Sequence, residues 1–310
     1  MKRCPITYEI INDHENYSQQ GLRLLAPQLH DLKPLEYSAA EQRMEAISRV
    51  GKMSIQGVQI KLSAQLKIKE SRFELVDQEG RYILKPQSID YPELPENEAI
   101  TMCLAKIIGI EVPLHGLVYS KDNSMTYFIK RFDRIERRKK CAVEDFAQLS
   151  QLSRDTKYDS SMENVAKVIA QFCSFPKIEA VKLLRLTLFN FLIGNEDMHL
   201  KNFSLIIYDQ KVTLSPAYDL LNTSIVIPKP EEELALLLNG KKKKLKRRDF
   251  LEYFAMERLK LNQKIVMQVI DEFKNALPFW EKLIGHSFLS KEMQEKYLKI
   301  LNERRLQLKL

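Results

Sequence analysis

Asp197 is followed five positions later by Asn202, within Asn195-Glu196-Asp197-Met198-His199-Leu200-Lys201-Asn202, and Tyr218-Asp219 comes after a short hairpin pattern. One carboxylate to orient a hydroxyl, plus an amide oxygen and a second carboxylate to ligate magnesium, is the donor set that phosphoryl transfer asks of a protein. That reaction needs little else: an oriented nucleophile, and cations to neutralise charge building on the phosphate oxygens. A D-x-x-x-x-N spacing arises often by chance, so its setting must carry the reading.

The setting can be read from the flanking residues. Lys182 to Ile193 is apolar on nearly every face, through Leu183, Leu184, Leu186, Leu188, Phe189, Phe191, Leu192 and Ile193. A helix of that kind is buried. Ser174, ahead of Pro176, reads as its start and Gly194 as its end. The chain then enters the polar loop that holds Asp197 and Asn202. Phe203 to Tyr208 reads as a strand, Asp209-Gln210 as a turn and Lys211 to Leu214 as the return strand. Pro216 stops the ladder just before Asp219. Buried helix, polar loop, hairpin and carboxylate follow in the order by which the larger lobe of a kinase presents its reactive groups. The alternative is a solvated polar loop beside a core helix.

A nucleotide needs a second set of contacts, and the stretch before residue 144 offers them. Met53 to Ser63 contains a candidate phosphate-covering turn, in which Gly57 lets the backbone approach an anion and Lys61 adds charge. Leu66 and Ile68, then Phe73 and Leu75, alternate as two antiparallel strands. Gly80 turns the chain into a strand that ends on Lys85, where a lysine for nucleotide phosphates would sit; an exposed strand-end lysine is the other reading. Glu96 to Ala99 opens a helix closed by Gly109. Glu98 there can pair with Lys85 or simply favour the helix dipole. Leu117 to Tyr119 and Thr126 to Arg131 supply two more strands. Arg134 to Lys140 reads as a solvated basic turn, and Val143-Glu144-Asp145-Phe146 as a hinge whose backbone can meet an adenine edge.

Taken together these stretches resemble the HipA family of bacterial serine/threonine kinase toxins. The resemblance rests on Ser54-Ile55-Gln56-Gly57-Val58-Gln59-Ile60-Lys61-Leu62-Ser63, Tyr82-Ile83-Leu84-Lys85, Asn97-Glu98, Phe128 to Arg134, Glu144-Asp145, Asp197-Met198-His199-Leu200-Lys201-Asn202 and Tyr218-Asp219. It implies an α+β, two-lobed protein-kinase-like fold, with a small β-sheet lobe over residues 1–143 and a larger helical lobe over residues 144–310. It also implies ATP and Mg2+ as cofactors. Gln56, Gly57, Val58, Gln59, Ile60 and Lys61 would cover the phosphates, and Lys85 would bind nucleotide. Glu144 and Asp145 would form the acidic hinge pair, and Phe146, His199, Lys201 and Tyr218 would join the nucleotide site. Asp197 would be catalytic, Asn202 and Asp219 would hold magnesium, and Ser54 would be an autophosphorylation site. The target class implied is a translation component, an aminoacyl-tRNA synthetase. Only about fifty residues precede Ser54, fewer than in full-length members. The chain is therefore similar to the short, split form called HipT, and two partners are expected. One is a separate small protein replacing the N-terminal subdomain. The other is a DNA-binding antitoxin that supplies the operator contacts.

Composition sets outer limits. At 310 residues with 45% hydrophobic content, the chain can build two lobes. Its apolar stretches are broken well before membrane-spanning length, and Met1 to Pro5 lacks a secretory apolar run. The cysteines at 4, 103, 141 and 173 have neither disulfide nor metal-ligand spacing, and Cys103 and Cys173 read as buried thiols. A cytoplasmic protein is expected. His199 can serve a loop-stabilising hydrogen bond or a chemical role. Net charge is +8, densest at Lys241 to Lys244 and Lys246 to Arg248. That block reads as a solvated loop and helix start, with acidic-protein or nucleic-acid docking as the alternative; direct nucleic-acid binding is not expected. Helical periodicity runs from Asp249 to the end, and Trp280 falls in its core. Two other readings compete with a protein kinase toxin. One is a small-molecule phosphotransferase, against which the Ser54 and Gln59–Lys61 loop argues. The other is a catalytically inactive kinase-like binding subunit, against which the intact Lys85, Asp197, Asn202 and Asp219 set argues.

Overall fold

Short runs of alternating apolar side chains fold the first part of the chain into an antiparallel sheet. The structure, a computed structural model, describes residues 2–50, 59–135, 140–153, 155–227 and 232–310. The chain divides into two compact units. Met1–Ile100, Pro113–Arg131 and His286–Leu289 make the first; Thr101–Val112, Phe132–Gly285 and Ser290–Leu310 make the second.

In the first unit the elements run α1 (Gln19–Leu25), α2 (Ala39–Val50), β1 (Leu62–Lys67), β2 (Arg72–Leu75), β3 (Tyr82–Lys85), the start of α3 (Leu94–Ile107), β4 (His115–Tyr119) and β5 (Met125–Lys130). The strands form one sheet in the order β2-β1-β3-β5-β4, every neighbour antiparallel. Phe73, Tyr82 and Phe128 cluster on one face, with Phe73 and Tyr82 edge-on at 5.0 Å. Such aromatic pairs add about 0.5–1.5 kcal/mol beyond area burial. The chain ahead of α2 packs on this core through Cys4, Ile6, Tyr17, Leu22, Leu29 and Leu35. It is tied to the sheet where Leu117 N–H donates to the Pro5 carbonyl and Leu35 N–H to that of Tyr119. Ile68 is not in a strand. β1 stops at Lys67, Ile68–Glu70 makes one tight 3-10 turn, and Ser71 takes a left-handed φ of 53° to reverse the chain. Two strands joined so closely leave no room for a further ladder residue.

α3 begins two residues before Glu96, with Pro95 in its first turn, where a missing N–H costs nothing. Gly109, at φ 75°, follows its end. Glu96 is buried and receives both oxygens' bonds from Gln87 Nε2, at 2.7 and 2.8 Å. Burial pushes its carboxyl up from 4.5 to about 7, against the Gln87 bond that lowers it. The folded chain therefore keeps a proton that the unfolded chain has lost. This contribution to stability is complete below about pH 4.5 and declines as pH rises toward 7, by about 3 kcal/mol. Glu96→Gln is expected to flatten that decline, as read from urea midpoints across this range; an unchanged slope would remove Glu96 as its source.

The second unit adds β6 (Ala142–Asp145), α4 (Phe146–Leu149), α5 (Met162–Phe172), α6 (Pro176–Ile193), β7 (Ser204–Tyr208), β8 (Lys211–Leu214), α7 (Gln263–Ile284) and α8 (Lys291–Leu308). α6 is buried along most of its length, and Phe189 meets Trp280 of α7 edge-on at 5.4 Å. Phe273 meets the same indole at 5.9 Å. The second sheet has the order β6-β7-β8. Asp209 and Gln210 both sit at positive φ, 46° and 61°, the pair that a tight hairpin turn of matching twist requires. Ser174 does not cap α6. Its Oγ accepts from Val212 N–H at 2.9 Å, and its own N–H donates to the Val212 carbonyl. The free edge of β8 takes it, and Pro176 at the helix start makes a side-chain cap dispensable. Asp249–Arg258 is wound as a wider π-helix, closed by Leu259 N–H on the Phe254 carbonyl. Cys173 is buried, whereas Cys103 is only partly so. Among the described residues no helix is long and apolar enough to cross a membrane.

Candidate active site

The loop with Asp197 begins where α6 must stop. Gly194 closes the helix at φ 72°, and a Cβ there would lie 2.8 Å from Ser224 Oγ and 2.9 Å from Ile300 Cγ2. Gly194→Ala is expected to cost about 1–2 kcal/mol from the left-handed backbone alone, with more from those contacts. A denaturant midpoint equal to that of the unaltered protein would contradict this. Beyond Gly194 the loop is braced at Asn195, Glu196 and Asp197. Asn195 Nδ2 donates to Asn190 Oδ1 at 2.8 Å, and Asn195 Oδ1 accepts from Asp197 N–H at 3.1 Å. Glu196 N–H donates to Thr223 Oγ1 at 2.7 Å, and Ser224 Oγ donates to Glu196 Oε1 at 2.6 Å.

Asp197 and Asn202 are brought together by the loop itself. Asn202 is buried, and its Nδ2 donates to the Asp197 carbonyl at 2.9 Å. That bond fixes the amide so that Oδ1 is the atom left to ligate a cation. Asp219 follows at a left-handed φ of 54°. Tyr218 holds the chain there: its hydroxyl donates to the Lys201 carbonyl at 2.9 Å and bonds Ser204 Oγ at 2.6 Å. Its ring stacks on Phe132 at 5.7 Å. Burial, more than any partner, raises the Tyr218 hydroxyl beyond the usual phenol range. The Tyr218 hydroxyl therefore braces the loop backbone.

His199 carries a buried ring nitrogen, Nδ1, with no partner among the described residues. Lys157 Nζ lies 2.8 Å from Nε2, and an ammonium only donates, so Nε2 accepts. Burial, above all, lowers the His199 pKa and keeps the ring neutral, helped by the Lys157 charge and opposed by Asp197. The ring proton is thereby assigned to Nδ1, which has no partner among the described residues. An N–H of this kind beside the Asp197 loop suits a phosphate oxygen. The oxygen donors of Asn202 and Asp219 suit Mg2+, a hard cation that keeps several of its ligands from water or phosphate. Among the described residues no group of three or more His, Cys, Asp and Glu side chains could hold a metal alone.

In the second unit, the sequence-predicted residues Glu144, Asp145, Phe146 and Lys201 lie on β6, at the start of α4 and in the loop. Asp145 ends β6 and caps α4, accepting from Gln148 N–H at 2.9 Å while its own N–H donates to Gln148 Oε1. Lys201 Nζ lies 3.8 Å from Asp145 Oδ2. Glu144 is exposed on β6, opposite Leu205, and Phe146 is buried against Phe203 at 5.8 Å. In the first unit, Lys85 Nζ donates to both oxygens of Glu98, at 2.6 and 2.8 Å, with both side chains almost fully buried. The ammonium also lies 5.4 Å from the Tyr127 ring centre. Gln59, Ile60 and Lys61 lead into β1, and Gln59 Nε2 is buried without a partner among the described residues. Ser54, Gln56, Gly57 and Val58 lie outside the described residues.

Two residues at the site went unread in the sequence. Tyr158 Oη donates to Asp197 Oδ1, and Lys157 Nζ meets His199. Both come from the polar stretch before α5, about forty positions earlier in the chain. No local pattern there marks them.

An antiparallel-sheet unit followed by a helical unit that carries this loop, hairpin and left-handed aspartate has the fold of the HipA-type kinases. The chain belongs to the HipA-like C-terminal domain family, which matches residues 53–280. It is 33% identical over 246 residues to a Haemophilus influenzae protein named "Putative kinase", covering 74% of this chain and 70% of that protein. It is 27% identical over 235 residues to the serine/threonine-protein kinase toxin HipA of Shewanella oneidensis, covering 67% of this chain. The chain spans just over half, 53%, of that toxin's length. Among solved structures, HipA from the Shewanella oneidensis complex of HipA, HipB and operator DNA superposes with a TM-score of 0.70 at 21% identity. That match covers 91% of this chain and 74% of the other. The Helicobacter pylori proinflammatory kinase CtkA gives 0.52 at 18% identity, covering 73% and 86%. At such identities the structures speak for the fold.

Proposed function

We propose that this chain is an ATP- and Mg2+-dependent serine/threonine protein kinase that acts as the toxin of a toxin–antitoxin pair. The observation that carries this reading is the braced loop in which Asn202 Nδ2 donates to the Asp197 carbonyl, leaving Oδ1 as the oxygen of that amide for a cation. Asp197 orients the acceptor hydroxyl and takes its proton as that oxygen bonds to the γ-phosphorus and the bond to the ADP oxygen breaks. Asn202 and Asp219 hold magnesium, and His199 Nδ1–H donates to a phosphate oxygen. Bound Mg2+ supplies positive charge against the phosphate oxygens. In the first unit, Glu98 holds the Lys85 ammonium for the nucleotide.

The finer parts of the reading draw on the relatives. The Shewanella oneidensis relative is named a kinase toxin, and its structural counterpart is assembled with HipB and operator DNA. A DNA-binding antitoxin is the partner this suggests, and a translation component, an aminoacyl-tRNA synthetase, is the proposed target. Ser54 is the proposed autophosphorylation site; a phosphate there adds nearly two negative charges to a loop meant to cover ATP phosphates, and activity falls. The test is incubation of the full chain with labelled ATP, alone and with a cell lysate. Label on a translation protein, and on Ser54 of the chain, is the expected result. Labelling no greater than with Asp197→Asn would overturn the kinase reading.

A further inference from the structure

We propose that Tyr158 is an intramolecular occupant of the acceptor-hydroxyl place on Asp197, so that the chain holds its own active site closed until a substrate hydroxyl displaces the phenol. The inference rests on the phosphotransfer reading of Asp197. An acceptor hydroxyl has to lie within hydrogen-bond reach of the base that takes its proton. Tyr158 Oη already makes that bond, donating to Oδ1 of Asp197. Burial first, and the Asp197 carboxylate second, raise the phenol beyond its usual range, so it stays protonated and remains a donor.

The closing segment is fastened to the catalytic loop at three points. Leu200 N–H donates to the Lys157 carbonyl at 3.2 Å. Lys157 Nζ meets His199 Nε2 at 2.8 Å and lies 4.9 Å from the centre of the Tyr158 ring. The Tyr158 ring meets His199 edge-on at 5.0 Å. The same contacts that seat the phenol on Asp197 thus seat Lys157 on the residue proposed to face a phosphate oxygen. Yet Tyr158 is 36% exposed, so its ring can turn away without opening the core. A group that is well bonded, outside the core and on the base is arranged to be displaced.

The competing role is that Tyr158 orients Asp197 for catalysis, and the two roles predict opposite signs. Phosphate release from ATP, with water as acceptor, is measured on the full chain for the unaltered protein, Tyr158→Phe and Asp197→Asn. Phe keeps the ring and removes only the hydroxyl. Tyr158→Phe is expected to raise turnover about tenfold, because the hydrogen bond of a neutral donor to a charged acceptor is the penalty a competitor must otherwise meet. The KM for ATP should stay the same. Unchanged or lowered turnover in both Tyr158→Phe and Tyr158→Ala proteins of unaltered thermal midpoint would overturn the proposal. Tyr158→Ala gives a second reading of the same sign should the Phe ring still block water. Equal turnover in the unaltered protein and Asp197→Asn would instead remove the phosphotransfer reading, and this inference with it.

Discussion

Asp197→Asn is expected to lower phosphotransfer by about 10²–10⁴-fold, the range for loss of a positioned proton acceptor, while the protein stays folded. The substitution is nearly isosteric, and Tyr158 can still donate to the remaining Oδ1. The bonds that shape the loop use Asp197 backbone atoms: its N–H on Asn195 and its carbonyl under Asn202. Removing the carboxylate charge leaves both in place. Asp219→Asn is expected to act differently, because its proposed task is to hold metal rather than to receive a proton. It should weaken the shift in thermal midpoint that Mg-ATP produces, and do so more than Asp197→Asn does, since ligand binding stabilises the folded state by mass action. Comparable kinase activity in a folded Asp197→Asn protein would defeat its assignment. An Asp219→Asn protein that keeps the full Mg-ATP shift would defeat the other.

What the sequence made legible follows the range of the forces involved. α6 was readable because a helix apolar on every face has one destination, and Gly194 because a left-handed helix end favours glycine. The β7–β8 hairpin was readable because its two-residue turn and alternation are local. The α+β class and the family followed from motifs in order along the chain. The misreadings were competitions the sequence does not display. Ser174 had a plausible helix end to cap, but the free edge of β8 offered two backbone partners instead. Ile68 fitted a strand period, but the chain needed those positions to turn. Tyr158 and Lys157 were invisible because their partners lie about forty positions away, and polar residues in a loop carry no period. The Gln87–Glu96 contact is of the same kind, since nothing local says which carboxylate at the start of α3 goes inward.

Lys85→Met is expected to destabilise the fold by about 3–5 kcal/mol, the cost of leaving one buried charge without its partner. Lys85 and Glu98 are 1% and 0% exposed, and each oxygen of Glu98 receives a bond from Lys85 Nζ. Glu98→Gln should cost a similar amount, for the opposite charge. A buried pair is nonetheless weak evidence of net stabilisation, because desolvating two ions offsets much of their attraction. The double change Lys85→Met with Glu98→Leu removes both charges and puts apolar groups of similar volume in their place. It should recover most of the lost stability, read as a denaturant midpoint returning toward that of the unaltered protein. ATP binding and phosphotransfer should stay lost, because an apolar pair offers nothing to a phosphate. Recovery of stability without recovery of activity would separate the two roles of the pair. A double variant that regains both would mean that this chain turns over ATP without Lys85, and a single Lys85→Met protein of unchanged midpoint would mean that the charge left on Glu98 finds water.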